Sequence, residues 1–215
     1  MKHVGLALAL SFGISCCASA QTGKVLYENN FEKATLEKVP EDMLVLDGGF
    51  AVKQEGDNKV LELPGAPLES FGVLFGPTEA ADVSASARFF ASGKGRRFPT
   101  FGLGLNGVGG YKLQISPGKK QLELFKGEDV VGSKEFEWAG NNGWTLVQLQ
   151  VRKTGDGVQV EGKAWKQGTD EPKDWQISYT DKSPAPAGRA SIWGNPFSGT
   201  PIRFDDLKMS VVGAK

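Results

Sequence analysis

The chain has 215 residues, with 25 basic and 25 acidic side chains, 29 Gly, 11 Pro, 2 Cys and 1 His. A net charge of zero leaves no electrostatic footprint for nucleic acid or anionic lipid. At 40% hydrophobic and 23% charged, the composition fits neither a disordered nor a membrane-embedded chain.

At the N-terminus, Lys2 precedes an apolar run over Val4–Ile14, and Ala18-Ser19-Ala20 supplies small residues before Gln21. This is the pattern of a secretory signal peptide over residues 1–20, which implies a secreted or periplasmic protein. The run is too short to span a bilayer, and nothing later approaches the required length. Cleavage near Ala20 removes Lys2, His3, Cys16 and Cys17, so 24 basic groups face 25 acidic ones for a net charge of −1. Residues 21–215 then hold no Cys and no His. Serine–histidine triads, thiol nucleophiles, His or Cys zinc sites, haem and disulfides are all excluded. Carboxylate-pair catalysis, oxygen-ligand metal sites and pure binding remain.

Residues 21–215 show period-2 alternation and frequent turn signals, with no sustained helical period, so they predict one all-β domain. In chain order the expected strands are Lys24–Phe31, Gly49–Gln54, Lys59–Leu63, Gly72–Phe75, Val83–Ala91, Thr100–Leu105, Tyr111–Ser116, Gln121–Lys126 and Val130–Trp138. They continue with Thr145–Arg152, Val158–Trp165, Trp175–Tyr179, Arg189–Trp193 and Ile202–Val211. Asn106-Gly107, Pro117-Gly118, Asn142-Gly143 and Asp156-Gly157 are read as turns. About fourteen strands require two sheets or a barrel.

Several segments carry candidate chemistry. Gly93–Pro99 is a basic, glycine-flanked loop in which Arg96 or Arg97 could clamp a uronate or sulfate, or simply form a soluble hairpin tip. In the following strand, Gly102 and Gly104 leave one face bare for a ligand or another backbone. Glu135 and Glu137 fall on one strand face about 7 Å apart, which suits a glycosidase pair or a plain solvated face. Trp165 shares a face with Glu161 and Lys163, and Gln150 and Arg152 extend that face on the neighbouring strand. This makes Trp165 a stacking platform for a sugar, or else a ring covered by the Gly168–Asp174 loop. Trp138, Trp144 and Trp193 are assigned to the core or to strand ends.

Leu26–Glu32, the pair Gly143–Leu149 and Val160–Trp165, and the closing strands Gly188–Gly194 and Ile202–Leu207 resemble the concanavalin A-like lectin/glucanase superfamily. Laminin-G-like modules share that fold, and the secreted 3-keto-disaccharide hydrolase-like domains are similar in length and order. The resemblance implies a two-sheet antiparallel jelly-roll sandwich. It also implies that acids of the terminal strands, here Glu32, Asp205 and Asp206, could hold a structural calcium. The superfamily's glucanases carry Glu-x-Asp-x-(x)-Glu on one strand. This chain's only Glu-x-Asp is Glu55-Gly56-Asp57, in a turn with no Glu at the required spacing. The expectation is therefore a secreted carbohydrate-binding or surface-interaction module that needs no cofactor and takes a polysaccharide or glycan as partner. The alternatives are a glycoside hydrolase or lyase using Glu135 and Glu137, and a structural module without a small ligand.

Overall fold

Alternating apolar side chains along most strands dictate two layers, because each sheet has one face to bury. The computed structural model describes residues 23–212 apart from positions 68, 139, 142 and 198. The expected signal peptide lies outside the described residues. One sheet runs in the order β13 (Ile177–Asp181), β12 (Gly157–Lys166), β11 (Thr145–Thr154), β6 (Val83–Phe90), β15 (Ile202–Val211), β4 (Asn58–Leu63) and β3 (Ala51–Glu55). Its eighth strand, β1 (Val25–Asn29), pairs with the second half of β15. The other sheet is β10 (Asp129–Glu135), β9 (Gln121–Lys126), β8 (Tyr111–Ser116), β7 (Thr100–Leu105), β14 (Gly188–Asn195), β5 (Phe71–Glu79) and β2 (Leu44–Asp47). Neighbouring strands are antiparallel throughout both sheets.

β15 organises the eight-stranded sheet. Its first residues pair with β4, and from Leu207 onward it pairs with β1. The change of partner falls at a bulge between Asp205 and Lys208, where Asp206 takes a left-handed φ of 49°.

The strand expectations hold with local shifts. β2 is a strand the alternation missed, because Leu44-Val45-Leu46 is a short apolar run at a sheet edge, and three of the strand's four residues are exposed. β10 stops at Glu135 instead of Trp138, and β13 starts at Ile177 instead of Trp175. The β11–β12 turn is centred on Gly155-Asp156, since Thr154 pairs with Gly157. Gly56-Asp57, Gly127-Glu128 and Gly155-Asp156 all follow one scheme, with glycine at positive φ opening a two-residue loop. Glycine takes that conformation without the Cβ penalty of other residues.

The core lies between the sheets. Phe89 of β6 stacks on Phe101 of β7 at 5.5 Å and meets Phe204 of β15 edge-on at 5.5 Å. Ala85 and Ala87 beside them are small and buried. The contact between Phe89 and Phe101 thus joins the two sheets across the core.

Candidate functional site

The face around Trp165 has the predicted composition but is closed upon itself. Gln150 and Arg152 both donate to Glu161, with Gln150 Nε2 at 2.5 Å and Arg152 at 3.2 Å from Oε2. Lys163 is 7% exposed. Its Nζ donates to the Pro172 carbonyl at 3.0 Å and pairs with Glu171 at 2.6 Å. It also lies over Trp165 and Trp175, 5.8 and 4.8 Å from their ring centroids. The 167–176 connection therefore folds back onto this face, and the polar groups expected to meet a sugar are engaged with one another.

Other candidates are dispersed. Arg97 is exposed in a tight hairpin tip, where the Lys94 amide donates to the Arg97 carbonyl at 2.9 Å and the reverse bond is 3.1 Å. Glu135 is exposed at the end of β10. Glu137 lies beyond that strand and borders a cleft with Phe98, Pro117 and Trp138. The two carboxyls are thus on different structural elements, not one strand face.

At the bulge of β15, Asp205 is fully buried. Its Oδ2 accepts from Arg88 at 2.5 Å and from Asn58 at 2.8 Å, while its Oδ1 accepts the Asp206 amide at 2.7 Å. Burial pushes the Asp205 carboxyl up, against the pull of Asn58, the Asp206 amide and Arg88. Arg88 Nε stands 2.9 Å from Asp206, and the guanidinium lies over Trp144 at 4.7 Å. Glu32 accepts the Lys59 amide at 3.0 Å. Among the described residues, no three His, Cys, Asp or Glu side chains form a metal-ligand group. Asp205 is occupied by an arginine and an asparagine where the calcium expectation needed a free oxygen donor.

A different surface gathers aromatic, charged and glycine residues. On β14, Ala190 and Ile192 face the core, so Ser191 and Trp193 face outward. Trp193 is thus neither in the core nor at a strand end. Gly72 of β5 and Gly102 of β7 are its direct neighbours on the two flanking strands. A Cβ on Gly72 would sit 2.7 Å from the indole ring, so the ring lies against the bare backbone. Its Nε1–H donates to Ser191 Oγ at 2.8 Å, which fixes the ring's direction. A Cβ on Gly104 would lie 2.3 Å from Ser191 Oγ and 3.3 Å from Trp193 Nε1. The six-membered ring of this tryptophan therefore lies on Gly72 of β5, and its Nε1 edge lies beside Gly104 of β7.

Beyond the ring, Lys112 of β8 and Phe125 of β9 complete a cleft of about 500 Å³, rimmed by Gly107–Gly110, Gly127 and Glu128. Lys112 Nζ is 4.6 Å from the Phe125 centroid and 5.7 Å from that of Trp193. Burial lowers the pKa of its ammonium, with Glu123 nearby opposing the shift. Glu123 itself is buried, accepting from Ser116 at 2.5 Å and from Lys119 at 2.8 Å. Backbone hydrogen bonds hold the rim. The Gly107 amide donates to the Arg189 carbonyl at 2.9 Å, and the Gly127 amide to that of Gly110 at 2.8 Å.

No family model and no curated protein matches the sequence. Solved structures share its fold. The carbohydrate binding module CBM66 from Bacillus subtilis is similar with a TM-score of 0.54 and 11% identity, covering 79% of this chain and 95% of that one. The Emp47p carbohydrate recognition domain is similar with a TM-score of 0.58 and 10% identity, covering 90% and 99%. The VIP36 exoplasmic/lumenal domain, in a form bound to calcium and mannose, gives 0.54 and 9%, covering 81% and 84%. This chain has the concanavalin A-like jelly-roll fold.

Within this jelly roll, Trp193, Lys112 and Phe125 were not singled out from the sequence as a site. One signal was present: Ala190–Gly194 alternates, sending Trp193 to the face opposite Ile192, the same face that Gly102 and Gly104 leave open on β7. Their adjacency depends on β14 pairing with β7, two strands far apart in sequence.

Proposed function

We propose that this jelly roll is an exported carbohydrate-binding module that holds a glycan in the Trp193 cleft without turning it over. The observation that carries the reading is the indole of Trp193 seated on Gly72 with its Nε1–H fixed by Ser191. A pyranose has apolar C–H faces that pack on a flat aromatic ring, while its hydroxyls need fixed polar partners at the edge. Phe125 supplies a second apolar wall, and Lys112 and the backbone of the glycine rim supply polar groups. Rigid rings and a hydrogen-bonded rim lower the ordering cost of binding. The carbohydrate binding module and the carbohydrate recognition domain that share this fold support the same reading. Export rests on the signal-peptide pattern of residues 1–20.

The test is affinity electrophoresis and calorimetry of the purified protein against a polysaccharide panel, with Trp193→Ala and Trp165→Ala compared. Retention lost in Trp193→Ala and kept in Trp165→Ala, with no reducing ends released, supports the cleft. Retention lost only in Trp165→Ala moves the site to the other sheet. Released reducing ends or unsaturated sugars would overturn the non-catalytic reading.

A further inference from the structure

We infer that the Trp193 cleft selects anionic glycans, with the Lys112 ammonium meeting a uronate carboxylate or a sulfate ester of a sugar stacked on Trp193. This rests on the carbohydrate-binding reading above and adds the ligand's charge to it.

Three features of the cleft carry the inference. First, Lys112 differs from the lysines at other enclosed positions, which are tied to carboxylates or carbonyls. Lys163 is tied to Glu171 and a carbonyl, and Lys126 is tied to Asp181 at 2.6 Å. Among the described residues no carboxylate stands within ion-pair distance of Lys112, and what flanks its ammonium is the pair of rings of Phe125 and Trp193. Ring faces attract a cation but leave its N–H donors free for an anion at the open side. Second, the same surroundings weaken the hydration of this ammonium, as its lowered pKa indicates. An incoming anion would restore the missing counter-charge in a medium less screening than water. Third, the selectivity has a local origin. The whole chain carries no net charge, so there is no general basic field to collect polyanions. Glu128 on the rim is exposed and acts in the opposite sense.

The experiment measures binding of two matched pairs to the full protein at low and moderate salt. Polygalacturonate is set against its fully methyl-esterified form, and dextran sulfate against dextran. The variants are Lys112→Met, Lys112→Arg, Glu128→Gln and Trp193→Ala, each checked for an unchanged melting transition. Preference for polygalacturonate over its ester assigns a uronate ligand, and preference for dextran sulfate over dextran assigns a sulfate ester. In the preferred pair, the charged member binds about tenfold or more tightly than its neutral partner. Lys112→Met removes that preference, Lys112→Arg keeps most of it, and Glu128→Gln tightens the charged ligand about twofold. Neutral members binding as tightly as charged ones, or Lys112→Met leaving the preference intact, would overturn the inference while leaving glycan binding in place. Binding that survives Trp193→Ala, or no binding by any of the four polymers, would overturn the cleft reading along with it.

Discussion

Tyr111 on β8 donates its phenolic O–H to Asp181 at the end of β13 at 2.7 Å, joining the seven-stranded sheet to the eight-stranded one at the edge of the core. Lys126 of β9 reaches the same carboxyl oxygen at 2.6 Å, and the Ser183 amide donates to the other oxygen at 2.9 Å. Burial by itself would raise the Asp181 pKa. The hydrogen bonds from Lys126, Tyr111 and the Ser183 amide outweigh it and hold the carboxyl at about 2, against an ordinary 3.8. Burial and the same Asp181 contact push the Tyr111 phenol up.

A carboxyl held below its unfolded pKa stabilises the fold above pH 3.8, and that contribution disappears as the pH falls toward 2. The shift corresponds to about 2 kcal/mol. Asp181→Asn therefore lowers stability at pH 7 by about that amount and removes this part of the acid sensitivity between pH 4 and pH 2. Urea unfolding across that range measures it. An Asp181→Asn variant with the wild-type acid profile would show that the inter-sheet contact contributes nothing.

Arg88 faces two aspartates of unequal burial, with Asp205 completely enclosed and the Asp206 side chain 57% exposed. Removing a buried partner strands a charge, whereas an exposed one is replaced by water. Asp205→Ala is expected to cost about 3–5 kcal/mol, and Asp206→Gly, which fits the left-handed bulge position, well under about 1 kcal/mol. With Asp205 already held by Arg88 and Asn58, millimolar calcium or a chelator should leave the melting temperature unchanged. A calcium-dependent rise would show that these acids open to a metal.

Gly72→Ala places a methyl 2.7 Å from the Trp193 ring without touching any ligand directly. The indole must tilt off its bed, at an overpacking cost of about 1–3 kcal/mol. Glycan retention should fall together with a change in tryptophan emission. Retention equal to wild type would show that the seating of the ring is irrelevant to binding.

Two glycines of one hairpin separate backbone conformation from space. Gly155 has φ +47° with nothing near a would-be Cβ, so Gly155→Ala costs about 1–2 kcal/mol through conformation alone. A Cβ on Gly157 would lie 2.0 Å from the Asp181 carbonyl oxygen. Gly157→Ala must spread β12 from β13, so it should cost more and also weaken the Tyr111–Asp181 contact. Equal losses in the two variants would contradict this.

Much of the sandwich was legible because period-2 alternation is a local property. Val147, Leu149 and Val151 inward, with Gln148, Gln150 and Arg152 outward, need no knowledge of the partner sheet. The same alternation placed Trp165, Glu161 and Lys163 together on an outer face, which the pairing of β12 with β11 matches. It could not show that Lys163 would be enclosed by Glu171 and Pro172, since that depends on how the connection to β13 folds back. Nor could it show that Asp205, which reads as a candidate ligand, would be claimed by Arg88 from a strand more than a hundred residues earlier.

By itself, the sequence determined the all-β class, the alternating faces, the absence of Cys and His after residue 20, and the neutral charge that argues against polyanion binding by the surface at large. Only the tertiary structure decided which outer face stays open. Strand order brings Gly72, Gly102 and Trp193 side by side, and Lys112 and Phe125 next to them. The physical reason is that alternation is set by the backbone of one strand, whereas a site needs side chains from strands distant in the chain. Their adjacency is fixed by pairing and packing, which no single segment encodes.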